Sequence, residues 1–204
     1  MKIHRTDAAS QSWLQSANCD ARYARVLAAG MAFMLALNAG GERVRELLRY
    51  ERVPLAHGQW WRLLSAHLVH LSLTHTLLNC AGLALLWMLF AREFTPRRWA
   101  WILFCACVAV DAGLWFLRPA IEWYLGASGV LHGALAAGAV SWYRRGDGFG
   151  AALVLLLIVK LIYEQRSGAS VFAHDLALVP DAHLLGVLGA LLGAWLPRAS
   201  PKSL

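Results

Sequence analysis

The sequence predicts an all-α membrane protein with six transmembrane helices in one domain, on three observations. Of its 204 residues 59% are hydrophobic and only 15% charged, with a mean hydropathy of +0.49. A soluble domain is nearer ~25% charged. The apolar residues fall into six runs divided by polar or Pro/Gly breaks. Lys and Arg flank those runs and form no stripe of their own, so the net charge of +7 reads as a set of topology determinants. No nucleic acid is expected as a partner; the lipid bilayer is. Cys80, Cys105 and Cys107 lie inside apolar runs and Cys19 just before the first, which makes no disulfide framework.

Residues 1–22 form a polar N-terminal segment without the continuous apolar core of a cleavable signal peptide, so the first apolar run is expected to be retained. Residues 23–197 are the membrane domain and 198–204 a C-terminal tail. The first span covers 23–40, with Arg22 and Arg25 at its start. Residues 41–59 mix both charges and are broken by Pro54 and Gly58; they read as a surface loop with a short amphipathic helix. Trp60 and Trp61 follow as interface anchors. The second span covers 67–90, closed by Arg92 and Pro96. The third covers 99–117, closed by Arg118-Pro119, and the fourth 128–143, followed by Arg144-Arg145. The fifth covers 149–163. A polar loop, 164–180, leads to the sixth at 181–196.

Spans four to six are shorter than the ~20 residues that cross a bilayer. A short helix can begin inside the membrane if the loop before it lines a wet cavity, and the fourth is expected to do so. With the N-terminus in the cytoplasm, Lys2, Arg5, Arg22, Arg25, Arg92, Arg97, Arg98, Arg144, Arg145, Arg198 and Lys202 share that side. The starts of the fourth and sixth spans then face away from it.

Ionisable residues inside spans are costly and mark function. The second span carries His67, His70, His75 and Asn79, the third Asp111, the fourth Ser128 and His132, the sixth His183. His75 and Asn79 are four apart and share a helix face; His70 is roughly 140° away from His75 and belongs to the loop end. Ser128 lies between Gly126 and Gly129 at a helix mouth, where free N–H groups stabilise a negative oxygen. Small residues there also serve close helix packing. The chemistry fits together as acyl transfer. Ser128 is the nucleophile, and a neutral His183 from another helix takes its proton and returns it to the leaving group. Asn79 is placed to donate to the oxyanion beside the Ser128 amide, and His75 is a second candidate donor. Asp181 is close in sequence but points to a different side of its helix, so a Ser–His dyad is the economical reading. Asp111 reads as a buried hydrogen-bonding carboxyl; His67 and His70 receive no role.

These residues resemble the rhomboid family of intramembrane serine proteases. Gly126-Ala127-Ser128-Gly129 matches the family Gly-x-Ser-Gly, His75-x-x-x-Asn79 its second-helix motif, Ala182-His183-x-x-Gly186 its last-helix motif and Trp61-Arg62 its first-loop Trp-Arg, in order over residues 60–195. The resemblance implies a six-helix core, a Ser128–His183 dyad, and an oxyanion hole of His75, Asn79 and the Ser128 amide. Gly126, Gly129, His132 and Gly186 are implied as supporting residues. The sequence departs at His132, often Tyr in bacterial relatives, and at Ala190, often Gly.

The short chain and the Gly-Ala-Ser-Gly-Val-Leu-His-Gly form resemble the rhombosortase subfamily. That implies a bacterial inner-membrane protein, active at the periplasmic face. Its substrate would be a membrane-anchored protein with a C-terminal transmembrane helix preceded by Gly-Gly. The rival within the fold is an inactive rhomboid-like protein that binds or escorts membrane helices; such proteins lack the serine or the histidine, and both are present. A haem or metal protein is the rival outside it. The histidine spacing contains no His-x-x-Glu-His, Glu-x-x-His or Cys–His set, so no metal and no cofactor are expected.

Overall fold

The computed structural model describes residues 19–168 and 179–195. Residues 1–18 of the expected N-terminal segment, 169–178 of the expected loop and the tail at 198–204 lie outside the described residues. The helices are α1 (Ala21–Ala39), α2 (Gly41–Leu48), α3 (Arg52–Ala56), α4 (Arg62–Ser65), α5 (Leu73–Phe90), α6 (Pro96–Leu117), α7 (Ser128–Arg144), α8 (Gly148–Ser167) and α9 (Pro180–Trp195). A two-residue strand β1 (Tyr50–Glu51) pairs antiparallel with β2 (Trp123–Tyr124), Tyr50 opposite Tyr124.

The protein is an integral, multi-pass, all-α membrane protein. Helices α5, α6 and α8 are long and apolar enough to cross a membrane, and α1 with α2, bent by 114° at their junction, make up to a fourth span. Helices α7 and α9 have 17 and 16 residues and fall below that length. Large apolar side chains face outward, among them Leu77 and Leu85 on α5, Leu155, Leu156 and Val159 on α8, and Leu188 and Leu192 on α9. The buried contacts are small: Ala106 on α6, Ala136 and Ala137 on α7, Ala182, Gly186 and Ala190 on α9. Lipid is as apolar as Leu, so helices there associate through close contacts between small residues. Helix α9 accordingly packs against α6 and α7, with α8 outside α7.

Three boundaries differ from expectation, each for a local reason. Helix α5 starts at Leu73 because the Ser72 hydroxyl accepts from the His75 N–H at 3.2 Å, which leaves His67 outside the helix, and His70 at the loop end as expected. Pro96, expected to close the second span, instead opens α6 behind Thr95; a first-turn proline loses no helical hydrogen bond. Helix α8 runs on to Ser167, where Gly168 ends it in the left-handed region at φ +66°. Glu164, expected in a loop, is therefore helical.

The first loop is fastened to the core. The buried Arg62 guanidinium donates to the carbonyls of Glu46 and Arg49 at 2.7 and 2.8 Å and to Gln59 Oε1 at 2.8 Å. Arg52 donates to the carbonyls of Leu114 and Trp115 at the end of α6. Carbonyls at helix ends lack helical partners, and arginine supplies several donors at once. Trp60 and Trp61 remain exposed on the outer face of this loop. A core of Tyr50, Leu55, Ala66, Val110, Leu114, Tyr124 and Ala182 ties the loop and β1–β2 to α6 and α9.

Candidate active site

The segment before α7 is held from three sides. Gly126 N–H donates to the Ala66 carbonyl at 2.8 Å, the Tyr124 hydroxyl donates to the Gly126 carbonyl at 2.7 Å, and Ala127 N–H donates to His70 Nε2 at 3.4 Å. Gly126 itself has φ +116°, a conformation that disfavours a side chain, and a Cβ there would lie 3.0 Å from the His75 ring. Glycine is thus required both by the turn and by the imidazole against it. Helix α7 then begins at Ser128, and its N-cap, Ala127, has no side-chain acceptor to close the first turn. Ser128 stands at the uncapped mouth of the helix, where free N–H groups can stabilise a negative oxygen.

His183 approaches from the first turn of α9. Its Nε2 lies 2.9 Å from Ser128 Oγ. The spacing is possible because α7 and α9 touch backbone to backbone: a Cβ on Gly186 would run into the Gly129 carbonyl, and one on Gly129 would lie 2.7 Å from the Ala182 carbonyl oxygen. His132 stacks on His183, ring centroids 4.1 Å apart and planes inclined by 16°. Its Nδ1 is 2.6 Å from the Ser128 carbonyl. A carbonyl only accepts, so that nitrogen donates and is not available as a base.

His75 and Asn79 lie side by side on α5, as their spacing requires, and both are buried. Asn79 Nδ2 donates to the His75 carbonyl at 2.9 Å. Neither ring nitrogen of His75 has a hydrogen-bond partner among the described residues. A buried imidazole without a partner is costly and is available to a ligand oxygen. His70 meets His75 edge-on at 5.0 Å. His67 and Asp111 approach to 3.4 Å beneath the loop, with the His67 ring edge-on to Tyr124. That places the pair beside Tyr124 of β2.

Two residues of this site, Glu164 and Lys160, escaped sequence reasoning. His183 Nδ1 lies 2.8 Å from Glu164 Oε2, and the other carboxylate oxygen lies 2.5 Å from Lys160 Nζ. Glu164 is 1% exposed. The expectation that no acid stands beside His183 is thereby corrected; Asp181, the only acid weighed for that place, is bound to Arg118 at 2.7 Å. The available signal was the stripe Leu157, Lys160, Leu161, Glu164, whose i, i+3, i+4, i+7 spacing puts the acid on the inward face of α8.

His132, Glu164 and His183 bring potential metal-ligand atoms within 4.8 Å of one another. Both nitrogens of His183 are already engaged, and Lys160 supplies the cation that Glu164 needs. The arrangement suits proton transfer better than metal ligation.

The family model described as "Rhomboid domain" matches residues 57–199, well over half of the chain. No curated protein matches.

Proposed function

The chain belongs to the rhomboid family, whose members are typically intramembrane serine proteases, and from that premise we propose that it is a serine endopeptidase of membrane-anchored proteins. The 2.9 Å contact between Ser128 Oγ and His183 Nε2 carries the reading. Ser128 transfers its proton to His183 as Oγ attacks the scissile carbonyl; His183 then protonates the departing amine, leaving an acyl-enzyme. Water, deprotonated by the same imidazole, releases the acid and restores the serine. The negative oxygen formed in each step is met by the Ser128 N–H, Asn79 and His75. Asn79→Ala and His75→Ala should each slow turnover by roughly 10²-fold or more with substrate binding largely kept. An effect on melting temperature alone, with kcat intact, would make both residues structural.

The topology in this proposal is six membrane helices with α7 starting inside the bilayer, in a bacterial inner membrane with Ser128 toward the periplasm. The substrate is an exported protein whose C-terminal anchor carries Gly-Gly before an apolar helix and a basic tail, as the rhombosortase resemblance implies. Glycines leave a helix readily and enter a narrow groove in extended form. Two measurements test the proposal. A serine-reactive fluorophosphonate should label the purified protein. A reporter with the Gly-Gly anchor should be cut in cells that make it. Equal cutting of a reporter without the glycines favours a general rhomboid protease over a rhombosortase. Absence of both labelling and cutting leaves a rhomboid-like binder of membrane helices.

A further inference from the structure

Resting on the serine-protease reading, we propose that Glu164 completes a triad with Ser128 and His183, as a positioning residue that fixes the tautomer of His183 while Lys160 balances its charge. The reaction needs Nε2 of His183 free to accept the serine proton, so the ring's own proton must sit on Nδ1. Left to itself a neutral imidazole exchanges between the two forms. An acceptor at Nδ1 selects one of them, and Glu164 Oε2 stands there at 2.8 Å. The same carboxylate faces the positive ring that forms when His183 takes the serine proton.

Burial alone argues against an incidental contact. Glu164 and His183 are 1% and 3% exposed, and a buried carboxylate is tolerated only where its oxygens are paired. Both oxygens are used, one by Lys160 Nζ at 2.5 Å and one by the imidazole. Lys160 lies one helical turn earlier on the same face of α8. Three helices then each contribute one member: α7 the nucleophile, α9 the base, α8 the orienting acid. His132 closes the stack from the side of α7.

The test uses the full chain purified in detergent, with Glu164→Gln, Lys160→Met and the double variant. Glu164→Gln should lower kcat by about 10²–10⁴-fold with KM little changed, because glutamine's amide can turn its N–H toward Nδ1 and favour the wrong tautomer. The double variant removes a buried ion pair together, which proteins commonly tolerate in stability, and should stay as slow as the single. Nitrogen-15 spectra of labelled histidine should show His183 as the Nδ1–H tautomer in the wild type and as a mixture in Glu164→Gln. A double variant restored to wild-type kcat would reduce Glu164 to a counter-charge for Lys160 and overturn the proposal. So would an unchanged tautomer in a folded Glu164→Gln protein. A wild type inert to fluorophosphonate and substrate would sink the protease reading instead, and the tautomer spectra would still report whether Glu164 holds His183.

Discussion

Ser128→Ala, and separately His183→Ala, are expected to lower cleavage by roughly 10⁴–10⁶-fold, the range over which serine nucleophile and histidine base act as one unit. The two differ in stability. Ser128 is only half-buried, and its hydroxyl is held by His183, so its alanine variant should melt close to the wild type. His183→Ala removes the partner of Glu164 Oε2 in a buried setting, and a buried acceptor left bare costs about 1–3 kcal/mol. Its melting temperature should fall while the protein still folds. The double variant should be no slower than either single. Initial rates on the anchored reporter and thermal unfolding in detergent check all three statements. A folded Ser128→Ala protein that cleaves at the wild-type rate is incompatible with a serine nucleophile at this position.

Gly186→Val is expected to cost more than 10²-fold in kcat and to lower the melting temperature, although the residue touches neither substrate nor reacting atoms. Gly186 lies three residues after His183 on α9, and any Cβ there meets the carbonyl of Gly129, the neighbour of Ser128. Backbone cannot step aside as a flexible side chain can. The helices must part, and the Ser128–His183 distance opens with them. Overpacking of this kind costs about 1–3 kcal/mol, and a displacement of ~1 Å at the reacting groups can cost about 10²-fold. Gly30, in α1, has nothing among the described residues within 4 Å of where its Cβ would be, so Gly30→Val serves as the control and should keep full activity. If Gly186→Val melted and turned over like the wild type, the α7–α9 contact would not be what sets the serine–histidine distance.

Much of this protein was legible along the chain because the relevant forces are local. Apolar runs mark the helices that bury their backbone in lipid. A serine between glycines after a break marks a helix mouth, and four-residue spacing puts His75 beside Asn79 and His132 on the face of Ser128. That the helices face lipid with large residues and each other with small ones came from the tertiary structure. What no local rule decided was which side chains meet across helices. Glu164 carries a helical-stripe signal with Leu157 and Leu161, but nothing local tells that its partner, His183, lies on another helix. The pairing of β1 with β2 joins two-residue strands separated by two long helices, too short for any alternation to show. His67 left the second span because Ser72 caps α5, a hydrogen bond that competes with continuing the helix upstream. Side-chain periodicity sets each helix and its faces. The contacts of Gly129, Gly186 and their neighbours set the distance between helices, and that distance brings Ser128, His183 and Glu164 within hydrogen-bonding reach.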